Sequence, residues 1–309
     1  MKSPFISISS MQSTFLLILF SFGIQCLKAQ DANYNIYEYS EDQLYSFQLK
    51  NGDRIIGTVI TESHAELLVD KPNGEEIRID KAEIVAKFTV EGKIKNGKLY
   101  RRDPNASVYI FAPSAFPIYR GKGFCRDFCL FFPSVNYGLT NHLSLQGGLF
   151  WYPGMDIKST PFVGNLKGTL LNTNVFSLAS GLMYVNFPAT GDDEIYGAGF
   201  MFVTGTLGTE YSHGSISTGW GYIQSENGWE IMEKPIAVAA LNVRVLPYLS
   251  FVSENWFYPD VALEDALLTI SARFFGQQIG LDIGAIFSVN SLKDGNTPIP
   301  LISITYHYR

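Results

Sequence analysis

From residue 105 to the C-terminus, apolar and polar side chains alternate with a period of two along one run after another. In HLSLQGGLFW, Leu143, Leu145, Leu149 and Trp151 share a face opposite His142, Ser144 and Gln146. In SISTGWGY, Ile216, Thr218, Trp220 and Tyr222 oppose Ser215, Ser217, Gly219 and Gly221. LLTISARF sets Leu268, Ile270, Ala272 and Phe274 against Thr269, Ser271 and Arg273, and LDIGAIF sets Leu281, Ile283, Ala285 and Phe287 against Asp282 and Gly284. A period of two is the side-chain repeat of a β-strand. The pattern predicts about twelve strands, at roughly 106–112, 126–139, 142–152, 160–171, 174–186, 195–209, 211–223, 232–246, 248–258, 265–275, 278–290 and 298–309.

The connections between these strands alternate in length. Short ones fall at Thr140-Asn141, Asn172-Thr173, Glu210, Pro247 and Gly276-Gln277; long polar ones fall at 113–125, 153–159, 187–194, 224–231, 259–264 and 291–297. Tight turns at one end and longer loops at the other are the habit of outer-membrane barrels. A soluble sandwich alternates too, but its water-facing side carries Lys and Glu. Here the polar side is mostly Ser, Thr, Gly and Asn, as a barrel interior would be, and the apolar side is what lipid requires. An even strand count returns both ends of the barrel to the short-turn side. The final run, LISITYHYR, fits a closing strand that pairs with the first and leaves no open edge. Tyr, Trp and Phe near strand ends would form the interfacial girdles.

Residues 31–103 have a different texture, polar and rich in short strand signals. YSFQLKNGDRIIGTVI and LLVDKPNGEEIRI each place Asn-Gly, at Asn51-Gly52 and Asn73-Gly74, between extended runs, the strongest short hairpin signal. With EIVAKF (83–88), the pattern reads as about five short strands resembling an SH3-like or Sm-like barrel. The basic stretch EGKIKNGKLYRRDP (91–104) reads as a linker.

The chain has 309 residues, 46% of them hydrophobic and 17% charged, enough apolar material to coat a large surface. A mild net charge of −6 gives no sign of nucleic-acid binding. Lys2, the apolar run FLLILFSFGI (15–24) and Leu27-Lys28-Ala29 before Gln30 read as an export signal over residues 1–29. No apolar run reaches the roughly 20 residues that a transmembrane helix needs, so any membrane insertion would use strands. Beyond the signal, the cysteines are Cys125 and Cys129. An extended backbone would hold them about 13 Å apart, so they are isolated thiols or a strained loop disulfide. No second Cys or His pair accompanies them, as a metal site would need.

From about residue 100 onward the chain resembles the uncharacterised outer-membrane β-barrel proteins of Bacteroidota. The resemblance is carried by FAPSAFPIYRGKGF (111–124), PSVNYGLTNHLSLQGGL (133–149), LSFVSENWFYP (249–259) and the aromatic terminus. It implies a barrel in the outer membrane and no particular activity. The expected organisation is an all-β chain with a signal at 1–29, a small periplasmic β domain and linker at 31–103, and an antiparallel transmembrane barrel at 104–309. The partners expected on this reading are outer-membrane lipid, the barrel-assembly machinery during insertion and a periplasmic partner of the N-terminal domain.

Catalytic chemistry is sparse. GxxxxGK, HExxH and GxSxG are absent and the chain has four His, so no cofactor or metal is expected. Outer membrane phospholipase A, a twelve-strand barrel, carries a His and a Ser two residues apart, and His142-Leu143-Ser144 and His213-Gly214-Ser215 share that spacing. By parity both pairs point into the barrel, whereas such a site must face lipid. A non-enzymatic barrel is therefore expected, either a narrow channel or a structural, surface-interacting protein. The alternatives are a lipid-acting hydrolase and a barrel that anchors a periplasmic binding module. Asn242, Arg244, Glu254, Arg273 and Asp282 lie on successive predicted strands and point inward by parity. Charges inside a barrel must be hydrated or paired. These residues therefore make either a selective constriction or a salt-bridge network that fills a narrow lumen.

Overall fold

The computed structural model describes residues 43–90, 92–152, 154–155, 160–186, 195–226, 228–276 and 278–308. The expected signal at 1–29 lies outside them. The first strands, β1 (Leu44–Leu49), β2 (Arg54–Glu62), β3 (Glu66–Asp70), β4 (Glu76–Asp80) and β5 (Ile84–Thr89), form one antiparallel sheet in the order β4-β3-β2-β1-β5. Tyr45, Phe47, Leu67, Val69 and Ile79 make its core. Both Asn-Gly pairs sit in hairpin turns, with the two residues dividing the work. Gly52 and Gly74 take the left-handed conformation, at φ of 90° and 80°. The side chains of Asn51 and Asn73 instead accept the N–H two residues on, from Asp53 and Glu75.

The stretch read as a linker is itself a hairpin, β6 (Gly92–Lys95) paired with β7 (Lys98–Arg101). Its turn is a third Asn-Gly, Asn96-Gly97, with both residues at positive φ, 51° and 70°. That is the two-residue turn whose twist matches flanking strands. The high density of Lys and Arg masked it.

The rest of the chain closes a twelve-stranded antiparallel barrel. Its staves are β8 (Gly123–Phe128), β9 (Phe132–Gly138), β10 (Leu143–Leu149), β11 (Phe162–Asn172), β12 (Phe176–Asn186), β13 (Ile195–Thr209) and β14 (Ser212–Ser225). After the short β15 (Gly228–Ile231) come β16 (Ile236–Leu246), β17 (Leu249–Phe257), β18 (Leu267–Phe275), β19 (Ile279–Phe287) and β20 (Ile299–Tyr308). The last strand pairs with β8, from Ser303 opposite Phe128 to Tyr308 opposite Gly123, and closure removes both sheet edges. Strand β15 is not a stave. It extends the β14 hairpin, so the loop expected at 224–231 is in fact ladder from Tyr222–Ile231 to Ser225–Gly228.

The strand count agrees with the sequence reading, but its start does not. Residues 106–112 are not the first stave, and the run read as one strand at 126–139 is two, β8 and β9. The turn between them, 129–131, has no Gly, Asn or Pro to announce it. Cys129 and Leu130 adopt positive φ there, 53° and 66°, despite their side chains. Neither Cys125 nor Cys129 is in a disulfide. The loop expected at 113–125 likewise does not join two staves across the long-loop end. It returns to the short-turn end, where Gly121 N–H donates to the Gly138 carbonyl and Gly138 N–H to that of Lys122.

Facing follows the predicted parity. Ile216 is 74% exposed on the outer face while its neighbours Ser215 and Ser217 are buried inside. Leu145, Leu166, Leu182, Val203, Leu241, Ile270, Ile283, Ile302 and Ile304 join the same exposed apolar band. Tyr184, Tyr222 and Trp229 cluster on that face near the long-loop rim, with Tyr184 and Tyr222 stacked 6.5 Å apart over Gly197 and Gly199. No helix among the described residues is long and apolar enough to cross a membrane.

The interior departs from a lining of small polar groups. Its long-loop half is packed with Phe200, Phe202, Ile236, Val238 and Trp256. Its short-turn half is occupied by the chain itself.

Candidate functional site

Residues 103–118 run from β7 into the barrel from the short-turn end, reverse, and leave by the same end to begin β8. The segment is a hairpin closed by Ser114 N–H donating to the Ser107 carbonyl, by a bridge between Val108 and Pro113, and by Tyr109 N–H donating to the Ala112 carbonyl. Its tip is Ile110-Phe111. Pro104, Pro113 and Pro117 remove three N–H groups that would otherwise need partners inside the lumen. These prolines suit a segment that takes no part in the sheet, yet VYIFA between Pro104 and Pro113 is apolar enough to have read as a stave. Tyr109 and Ile110 are fully buried.

At the mouth, Asn242 Nδ2 donates to Asp103 Oδ2 at 2.7 Å, and Asp103 Oδ1 accepts the Asn105 N–H at 2.8 Å. Arg244 donates to the carbonyls of Arg101 and Pro247 at 2.7 and 3.1 Å, with its guanidinium 4.2 Å from the Phe275 ring centre. An ion pair between Arg102 and Glu210 ties the incoming chain to the rim. A cavity of about 110 Å³ lies here, lined in part by Phe116, Tyr119, Phe124 and His307.

Halfway up, Arg273 is 0% exposed. It binds Asp282 by Nε–Oδ1 at 2.6 Å and Nη2–Oδ2 at 3.3 Å, a fork-to-fork geometry. Its remaining donors reach the carbonyls of Asn105, Val108 and Tyr109, and Asp103 lies 3.7 Å away. Arg126 shares Asp282 at 3.4 Å while donating to Ser303 Oγ at 2.7 Å and to the Ile110 carbonyl at 2.5 Å. On the β11 wall, the Lys167 ammonium donates to the carbonyls of Ser107, Ser114 and Phe116 at 3.2, 2.8 and 2.8 Å.

At the tip, Glu254 Oε2 accepts three successive N–H groups, from Ile110, Phe111 and Ala112, at 2.8, 2.9 and 2.9 Å. Successive amides converging on one oxygen make an anion nest. The other carboxylate oxygen takes the Trp256 indole N–H at 2.7 Å, which links the tip to the apolar layer above it. Thr206 accepts from Ala115 N–H at 2.8 Å, Thr169 donates to the Ala115 carbonyl at 3.1 Å, and Ser215 bonds the Tyr109 hydroxyl at 2.6 Å. His307 Nε2 meets Asn105 Oδ1 at 2.6 Å. Within this layer three buried cations, Arg126, Lys167 and Arg273, balance three buried carboxylates, Asp103, Glu254 and Asp282.

The five residues singled out from sequence thus take three positions. Arg273 and Asp282 pair directly, and Asn242 joins them through Asp103. Glu254 holds the hairpin tip instead, and Arg244 sits at the mouth. Sequence reasoning missed Arg126, Lys167 and Asp103. Lys167 was legible, since it shares parity with Asn165 and Thr169 against Leu166 and Leu170. Arg126 and Asp103 carried no such signal, one lying in an unannounced hairpin and the other in the supposed linker.

Neither His-Ser pair is a hydrogen-bonded dyad. His142 is exposed at a turn, and Ser144 faces the Lys167 carbonyl at 3.4 Å. His213 packs against Tyr109 and Phe116 and meets the Thr209 carbonyl through Nδ1 at 3.0 Å, while Ser215 bonds Tyr109 and Thr206.

The architecture defines a class: a closed antiparallel barrel of twelve strands with an apolar outer face, which fits a membrane barrel protein. No family model matches the chain, and no curated protein is significantly similar to it.

Proposed function

We propose that this is a non-enzymatic outer-membrane barrel held closed by its own hairpin, carrying the small sheet domain on the periplasmic, short-turn side. One observation carries the reading: among the described residues, the lumen is occupied by residues 103–118 in one half and by Phe200, Phe202, Val238 and Trp256 in the other. A filled interior stabilises and seals, and a solute path needs the opposite. The order β4-β3-β2-β1-β5, with the fifth strand returning to the first, supports an SH3-like fold for the small domain. Such a module, tethered through β6–β7 to the segment inside the barrel, is suited to binding a periplasmic partner while the barrel anchors it. The test is conductance of the purified protein in planar bilayers. Silence is the expected result, and a steady ohmic conductance would overturn the closed-barrel reading.

A further inference from the structure

We propose that the short-turn half of the lumen is a receptor for a peptide main chain, and that residues 103–118 are its exchangeable resting occupant. This inference rests on the closed lumen described above. Among the described residues, the wall's hydrogen bonds to the hairpin go chiefly to main-chain atoms, and the hairpin side chains addressed are Asp103, Asn105 and Tyr109. Glu254 reads N–H groups; Arg126, Lys167 and Arg273 read carbonyls. A wall that offers both acceptors and cationic donors at fixed places recognises the alternating polarity of a peptide backbone.

The hairpin is also placed to leave. Both its ends are at the short-turn mouth, so it can withdraw without threading. Among the described residues it shares no ladder with any stave, so withdrawal breaks no sheet, only side-chain bonds and the packing of Tyr109, Ile110 and Ala112 against the wall. Withdrawal leaves Lys167 without the three carbonyls that solvate it and Glu254 without its three amides. Buried charges stripped of partners are costly, so the empty site demands a replacement of the same chemistry. The ligand class is a peptide turn with three successive free N–H groups at its tip and small residues behind it, arriving from the short-turn side.

The test uses the full chain with Ile110→Cys in a Cys26→Ser, Cys125→Ser, Cys129→Ser background, and a synthetic peptide with the sequence of residues 103–118. Maleimide labelling at position 110 reports displacement of the hairpin. Without peptide, labelling should be negligible. With peptide it should rise saturably, reaching half-displacement at about 1 mM, the effective concentration a short tether gives the resting occupant. A second protein adds Ala112→Pro, which removes one N–H from Glu254 and should lower that concentration about tenfold, since one charge-assisted bond is lost. The same peptide N-methylated at the three tip amides should displace nothing. Equal displacement by the methylated peptide would overturn main-chain recognition, and no displacement in the Ala112→Pro protein would overturn exchange. Bilayer conductance of the unmodified protein separates the two readings: a conducting resting barrel sinks the closed lumen, whereas a silent barrel with no displacement sinks only the receptor.

Discussion

Removing Arg273 tests whether the lumen charges work as one network. Its guanidinium is fully buried and satisfies Asp282 and three hairpin carbonyls, with Asp103 close by. Breaking a buried pair by deleting one partner costs about 3–5 kcal/mol. The lower part of that range is expected for Arg273→Ala, because Asp282 keeps Arg126 and Asp103 keeps Asn242. Asp282→Ala should be worse, about 4–5 kcal/mol, because it leaves two guanidiniums facing each other across the gap. Removing both does not restore balance, since Arg126 then loses its carboxylate. The double variant should nonetheless fall short of the sum of the singles by about 2 kcal/mol, a coupling typical of residues sharing a network. Urea unfolding in detergent micelles, followed by tryptophan fluorescence and by heat-modifiable gel mobility, measures all three. Losses below about 1 kcal/mol would place these groups in water, as exposed pairs behave. A strictly additive double would mean that Arg273 and Asp282 do not act through each other.

Glu254→Gln keeps the shape of the tip contact but removes its charge, and should cost about 2 kcal/mol by the same unfolding assay, the worth of hydrogen bonds to an ionised group. Ile270→Arg and Ile283→Arg, on the outer face, should each impair barrel assembly by about 2–4 kcal/mol in lipid vesicles, while Ile270→Ala costs much less because Ile270 is exposed on that face. Ser271→Arg should fail as well, through overpacking of a lumen that is already full; tolerance of that change would indicate an open interior. An epitope inserted at Asp294 should be reachable on intact cells and one at Tyr248 should not, and the reverse labelling would invert the orientation assigned from loop length.

Much of the barrel was legible because its determinants are local and repeated. Inward Ser215, Ser217, Thr269 and Ser271 against outward Ile216, Trp220, Ile270 and Phe274 state the register one residue at a time, and a slip by one would turn every apolar group into the lumen. What escaped the sequence lacked such redundancy. The β8–β9 turn relies on Cys129 and Leu130 in a conformation that neither prefers. The β6–β7 hairpin was hidden by its charges, although Asn96-Gly97 announces it. The inward Phe200, Phe202, Val238 and Trp256 look like any strand with apolar residues on both faces, which reads as buried without saying against what.

The hairpin escaped for a deeper reason. Water and peptide backbone make similar demands on a barrel wall, since both bring donors and acceptors in plenty, so Ser, Thr and Asn lining the inside are compatible with either. The charges break the tie. Among the described residues, the Lys167 ammonium hydrogen-bonds to carbonyls, and the Glu254 carboxylate to amides and an indole N–H. A solvated channel needs no such one-sided surroundings, because water reorients to suit either sign. Fixed backbone dipoles cannot reorient, so each sign must be met by the correct end of a peptide group. The placement of cations beside carbonyls and a carboxylate beside amides is therefore a record of the occupant, written on the wall by side chains that belong to different strands.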